Sequence, residues 1–222
     1  MTALEDLVDQ TVAAAFAEAG AVEAARAFRE KPRAAYRGSP RDLRIARHEM
    51  AHAVVCWLVG GSPLVEIVVR DDASGEMTNE ATARAAETPP GEDHADRLAA
   101  LRADHPDVLR VTCARHVVTV LAGISADHEA GYVDWTSSFD DLAQADRLAT
   151  IGVGRGGRDR LVSTCKAIAR LAVHDAWALI LELADWLAVE RRLPGPAVTA
   201  WLEARPEAQS LRNYYSAAFE AA

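Results

Sequence analysis

The chain has 222 residues, half of them apolar, and a formal net charge of −9. That length can bury a sizeable core in one domain or one domain plus an appendage, and the acidic balance argues against a nucleic-acid partner, whose phosphates call for an excess of Lys and Arg. The three cysteines, Cys56, Cys113 and Cys165, lie far apart and give no disulfide framework, while the acidic start MTALEDLVDQ is unlike a secretory signal and no run reaches the roughly 18 uninterrupted apolar residues of a membrane span.

These features fit a cytoplasmic protein, and the near absence of lysine (Lys31 and Lys166 only) beside abundant Ala fits GC-rich bacterial coding. Residues 3–30 carry Leu4, Leu7, Val8, Val12 and Phe16 at helical spacing, and Lys31-Pro32 should stop that helix or helix pair. A basic stretch to Gly38 reads as a linker. Ser39-Pro40-Arg41-Asp42 then combines a capping residue, a first-turn proline and an acid, which predicts a helix running to Gly60-Gly61. Pro63 opens LVEIVVR, a β-branched run that reads as a strand, with a turn at 71–74 and a partner strand at 76–79. Residues 81–104 turn polar around Pro89-Pro90-Gly91 and predict a mobile loop with a short helix near 95–101.

Helices dominate the remainder. Pro106 to Glu129 has a strong apolar helical pattern, a second helix is predicted over 138–151, and the cluster Gly152, Gly154, Gly156 and Gly157 separates it from a long pattern over 161–193. That cluster follows a helix and lacks the P-loop lysine, so it reads as an interhelical loop and not as a phosphate cradle. Leu193-Pro194-Gly195-Pro196 closes the long element, and 197–204 predicts one last short helix. The fold class is mainly α with a small β-hairpin or sheet.

The chemistry sits in ARHEMAHAVV, where His48, Glu49 and His52 form His-Glu-x-x-His. Four residues of helix advance about 400°, which brings His52 back to within roughly 40° of His48, one turn along the same face. Two imidazoles can then share one metal. Zinc in catalytic sites takes three protein ligands and leaves a position open for water. Glu49 projects beside that position, where it can accept a proton from the attacking water and deliver it to the leaving amine. No His-x-x-Gly-x-x-His extension follows His52, which argues against the metzincin arrangement and leaves the third ligand to come from downstream. His116, His128 and His174 sit in apolar helical patterns and read as hydrogen-bonded or partly exposed histidines, with His128 as the reserve ligand. Cys113, Cys165, Trp57, Trp177 and Trp186 read as packing residues.

With these motifs in place, the sequence resembles the peptidase domain of FtsH-type ATP-dependent zinc metalloproteases over roughly residues 43–202. HEMAHAVVCWLVGG is similar to the family's HEAGH helix, PLVEIVVRDDASGEMT to its strand, turn and glycine-bearing second strand, VTVLAGISADHEAG to its LAGRAAEE helix, and SSFDDLAQADRLA to its ASNDL segment. The departures are Met50 and Ala51 within the HEAGH match, Ile124 at the Arg of LAGR, and Phe139 at the Ser of ASNDL.

The resemblance implies a zincin-like fold and a zinc-dependent metalloendopeptidase acting on peptide or protein substrates. Residues 1–38 would be an N-terminal helical extension and linker, and residues 39–222 the peptidase domain with its C-terminal helices. On the residues alone Asp140 and Asp141 stay open as third ligand; the resemblance implies Asp141, with Leu142 after it. It also implies that Asp127 supports a zinc-binding His, and that the strand Gly75, Glu76, Met77 and Thr78 offers backbone hydrogen bonds to an extended substrate. No Walker A sequence, second nucleotide motif or transmembrane segment precedes the region of resemblance, so processive unfolding is not expected of this chain alone, and a separate ATPase is a candidate partner. A monomer or small homo-oligomer is expected. The alternative reading is a zincin-fold binding or regulatory module without turnover, which the changes at Ala51 and Phe139 motivate.

Overall fold

Pro40 opens α1 (Pro40–Leu58), its fixed φ suiting a first helical position. The computed structural model describes residues 40–72, 74–87, 94–132 and 139–220; Ser39 and the extension expected over residues 1–38 lie outside the described residues. In the second half of α1 apolar residues occur on every side, and Met50, Ala51, Ala53, Val54, Val55 and Leu58 are fully buried. A helix apolar all round must run through a core. Its first turn is tied down by Asp42, itself buried, in an ion pair with Arg191 at 3.0 Å. The Gly61 N–H reaches back to the Cys56 carbonyl at 2.8 Å and ends the helix where the glycine pair predicts.

The sheet lies against α1. β1 (Leu64–Val69) and β2 (Gly75–Asn79) form an antiparallel hairpin in which Ile67 opposes Met77 and Val69 opposes Gly75. Asp72 holds the turn, its Oδ1 accepting from the Ser74 N–H at 3.0 Å and from its hydroxyl at 2.6 Å. A third strand, β3 (Arg192–Pro194), pairs antiparallel with β1 on the other side, giving the order β2-β1-β3. The element predicted over 161–193 is therefore corrected, because its last residues are extended and bury Leu193 against Ile67 and not in a helical face.

The loop predicted from residue 81 is also corrected, since α2 (Glu80–Glu87) occupies its first part, whereas the short helix expected near 95–101 is present as α3 (His94–Asp104). Asn79 and Thr82 cap α2 reciprocally: the Thr82 N–H donates to Asn79 Oδ1 at 2.9 Å and the Asn79 N–H to Thr82 Oγ1 at 3.1 Å. This is the capping-box geometry with Asn and Thr in the two roles, and polar composition conceals it. α4 (Pro106–Glu129) follows as predicted. It has the length and apolar content of a membrane-crossing helix, but Leu109, Val117, Val118 and Leu121 are buried inside this fold, where α4 packs between α1 and α5.

α5 (Phe139–Asp175) comprises two helical limbs joined at a kink inside the predicted glycine cluster, so the helices do part there, but at one residue and not through a loop. Only Gly154 leaves helical geometry, at φ 71° and ψ 174°, a region essentially closed to other residues. The chain breaks again at Ala176 before α6 (Trp177–Glu190), and α7 (Gly195–Glu203) and an unpredicted α8 (Pro206–Glu220) complete it. The described residues are mainly helical with one small antiparallel sheet.

Candidate metal centre

Two helical stripes face one another across the α1–α4 contact. On α1, Arg44, His48 and His52 recur every four residues; on α4, Thr119, Gly123 and Asp127 do the same. Their pairings run in opposite directions, with Arg44 and His48 on Asp127 and His52 on Thr119, so the helices cross antiparallel here. The His52 Nδ1–H donates to the Thr119 carbonyl at 2.8 Å, and the His48 Nδ1–H to Asp127 Oδ2 at 3.3 Å. Fixing Nδ1 as the donor turns both Nε2 atoms the same way, as in histidine metal ligands whose other nitrogen is bonded.

Asp141, in the first turn of α5, meets them. Its Oδ2 lies 3.1 Å from His48 Nε2 and 3.7 Å from His52 Nε2, and the ligand atoms of the three residues fall within 4.8 Å of one another. The group could hold a metal ion. Two imidazole nitrogens and one carboxylate oxygen form a donor set that zinc accepts at about 2.0 to 2.2 Å, which spaces tetrahedral ligands about 3.4 Å apart, between the two separations seen. Room for an ion is kept by Gly123, where a Cβ would overlap the Nε2 atoms of both histidines. The residues therefore fit a small tetrahedral cation.

The electrostatics follow from burial among carboxylates. Burial works against a charged His48, but hydrogen bonds with Asp127 and Asp141, and the charges of Asp141 and Glu49, outweigh it and hold its pKa well above 6.5. Burial alone would raise Asp127, yet its bonds with His48 and Arg44 bring it below the usual carboxylate value. Glu49 is 8% exposed, and burial raises its pKa in spite of the nearby His52 and His48. Its carboxyl rests against the start of β2, where a Cβ at Gly75 would overlap it. β2 is an outer strand of the sheet, and its first residue, Gly75, lies against Glu49, with Glu76 near enough for its charge to act on that carboxyl; Met77 and Thr78 continue the strand. Arg70 forms an ion pair with Glu76 across the hairpin.

His48, Glu49, His52, Asp127 and Asp141 are thus brought together, and Asp140, one position along α5, is exposed and outside the ligand group. His128 is exposed and does not join the group, and His174 bonds Glu129 at 3.0 Å. Sequence reasoning missed Arg44, Thr119 and Gly123 as parts of the site. The spacing of Arg44 from His48 was a readable signal, whereas Thr119 acts through its backbone carbonyl, which every residue carries. No known protein-family profile matches the chain, and no curated protein matches it in sequence.

Proposed function

We propose that this chain is a zinc metalloendopeptidase with a zincin-like fold of the FtsH peptidase type, and that His48, His52 and Asp141 hold the zinc. The observation that carries this reading is the convergence of two imidazole nitrogens and one carboxylate oxygen within 4.8 Å, with the buried Glu49 on the same helix as both histidines. Zinc, when bound there, supplies Lewis acidity that acidifies water and polarises a carbonyl. Glu49 is the general base. Its raised pKa keeps the carboxylate basic enough to take a proton from the attacking water and acidic enough, once protonated, to return it to the leaving amine. Asp127 and the Thr119 carbonyl accept from the two Nδ1–H groups, which would leave both Nε2 atoms to hold the ion. The outer edge of β2 offers main-chain donors and acceptors to an extended peptide beside Glu49, the mode by which sheets bind strands.

The test is cleavage of casein and of a peptide library by the wild type and by Glu49→Gln, with zinc measured in the same samples. The proposal predicts cleavage by the wild type and a loss of about 100-fold or more in the variant, on the scale of general-base catalysis, with zinc retained. Stoichiometric zinc without wild-type cleavage would favour the binding or regulatory module instead.

A further inference from the structure

Asp127 lies in the last turn of α4, two residues before the helix ends at Glu129. A carboxylate there faces the negative end of the helix dipole, and Asp141 and Glu49 add acidic groups around the same histidines. It holds its place because Arg44 grips it. Arg44 Nε donates to Oδ1 at 3.3 Å and Nη2 to Oδ2 at 3.2 Å, a two-pronged contact that fixes the plane of the carboxylate. The same Oδ2 accepts the His48 Nδ1–H at 3.3 Å.

Arg44 is itself held from the end of α4. Gly131, at φ 79°, turns the chain in a left-handed conformation, its N–H bonding the His128 carbonyl at 3.0 Å while the Tyr132 N–H reaches the Asp127 carbonyl at 2.8 Å. This helix-terminating motif folds Tyr132 back, and the Arg44 guanidinium stacks 4.9 Å from the centre of its ring. One helix end therefore supplies both the carboxylate that orients His48 and the aromatic face that steadies the arginine gripping it.

We propose that Arg44 is a positioning residue of the metal centre, acting through Asp127 to set the orientation of His48 and so the affinity for the metal. The inference rests on the metal-centre reading above. It assigns a role to a residue one helical turn from the ligand, with Tyr132 as its support.

Zinc titration of the metal-free protein in competition with a chromophoric chelator tests it, with thermal unfolding of each metal-free variant followed by circular dichroism. Arg44→Ala is expected to weaken zinc binding about 10- to 100-fold, the range found when partners of metal-bound histidines are removed. Arg44→Lys should recover part of the loss, since an ammonium keeps the charge but lacks the planar fork that matches both carboxylate oxygens. In an Asp127→Ala background, Arg44→Ala should change the affinity less than about twofold, because its route to His48 is already gone. Undiminished affinity in Arg44→Ala, an equal loss in both backgrounds, or a drop in metal-free stability without a change in affinity would each overturn the proposal. A wild type that takes up no zinc would bring down the metal-centre reading and this inference with it, whereas wild-type binding that ignores Arg44→Ala would overturn this inference alone.

Discussion

Gly123 faces His48 and His52 from α4, and a side chain there would overlap the two Nε2 atoms that would hold an ion. Gly123→Ala is predicted to weaken zinc binding about 100-fold, at the upper end of the effects seen when a site's supporting shell is disturbed. The metal-free variant should fold but lose up to about 1 to 3 kcal/mol, the cost of overpacking, which the preference for Ala over Gly inside a helix offsets by at most about 1 kcal/mol. Zinc titration together with thermal unfolding checks both halves, and undiminished affinity would show that the ion does not sit against α4. His48, Glu49 and His52 were legible in the sequence because their chemistry and their helical spacing point the same way. Asp141 was not legible from spacing: 93 residues separate it from His48, and the neighbouring Asp140 has the same chemistry. Only the family resemblance favoured it, and the fold then puts Asp141, not Asp140, against both imidazoles. Gly123 lay inside a segment quoted for that resemblance, but a missing side chain announces a cradle only once its neighbours are known.

Among the elements, α5 shows where pattern reading reached its limit. Four glycines within six residues predicted a loop between helices, yet Gly152 is helical and pressed against Cys113 of α4, and Gly154 alone departs from the helix. Gly154 has open space around it, so its role is conformational. Gly154→Ala is predicted to destabilise the fold by about 1 to 3 kcal/mol, the cost of holding a side-chain-bearing residue in that region. Gly156→Ala, also in open space but within the helical limb, should be neutral or stabilising by up to about 1 kcal/mol. Denaturant unfolding of the two variants tests the assignment, and equal effects would contradict it. The long helices and the β1–β2 hairpin were legible because each carries several turns or strand positions of one period. Three-residue β3 carries too few positions to show a period and is extended because β1 offers it an open edge. α2 depends on the reciprocal bonds of Asn79 and Thr82, a short-range signal that polar composition hid.

For the whole molecule, α1 is the central member, in contact with α4, α6, the sheet and α8. The unpredicted α8 braces it from beyond the residues that carry the family resemblance: the Ser216 hydroxyl donates to the Leu58 carbonyl at 3.1 Å, and the buried Tyr215 donates to Asp175 of α5 at 2.7 Å. The Ser216 contact fixes α1 at its C-terminal end and Tyr215 ties α8 to α5, while α4 packs on the face of α1 that carries the histidines. The first turn of α5 then brings Asp141 to that face, so the ligands come from two elements far apart in the chain and an ion between them would join α1 to α5. Elemental analysis of the purified protein decides whether His48, His52 and Asp141 form the proposed zinc site. One zinc per wild-type chain, lost from Asp141→Ala, is the expected result. A wild type that holds none after reconstitution, or an Asp141→Ala variant that keeps a full equivalent, would contradict it.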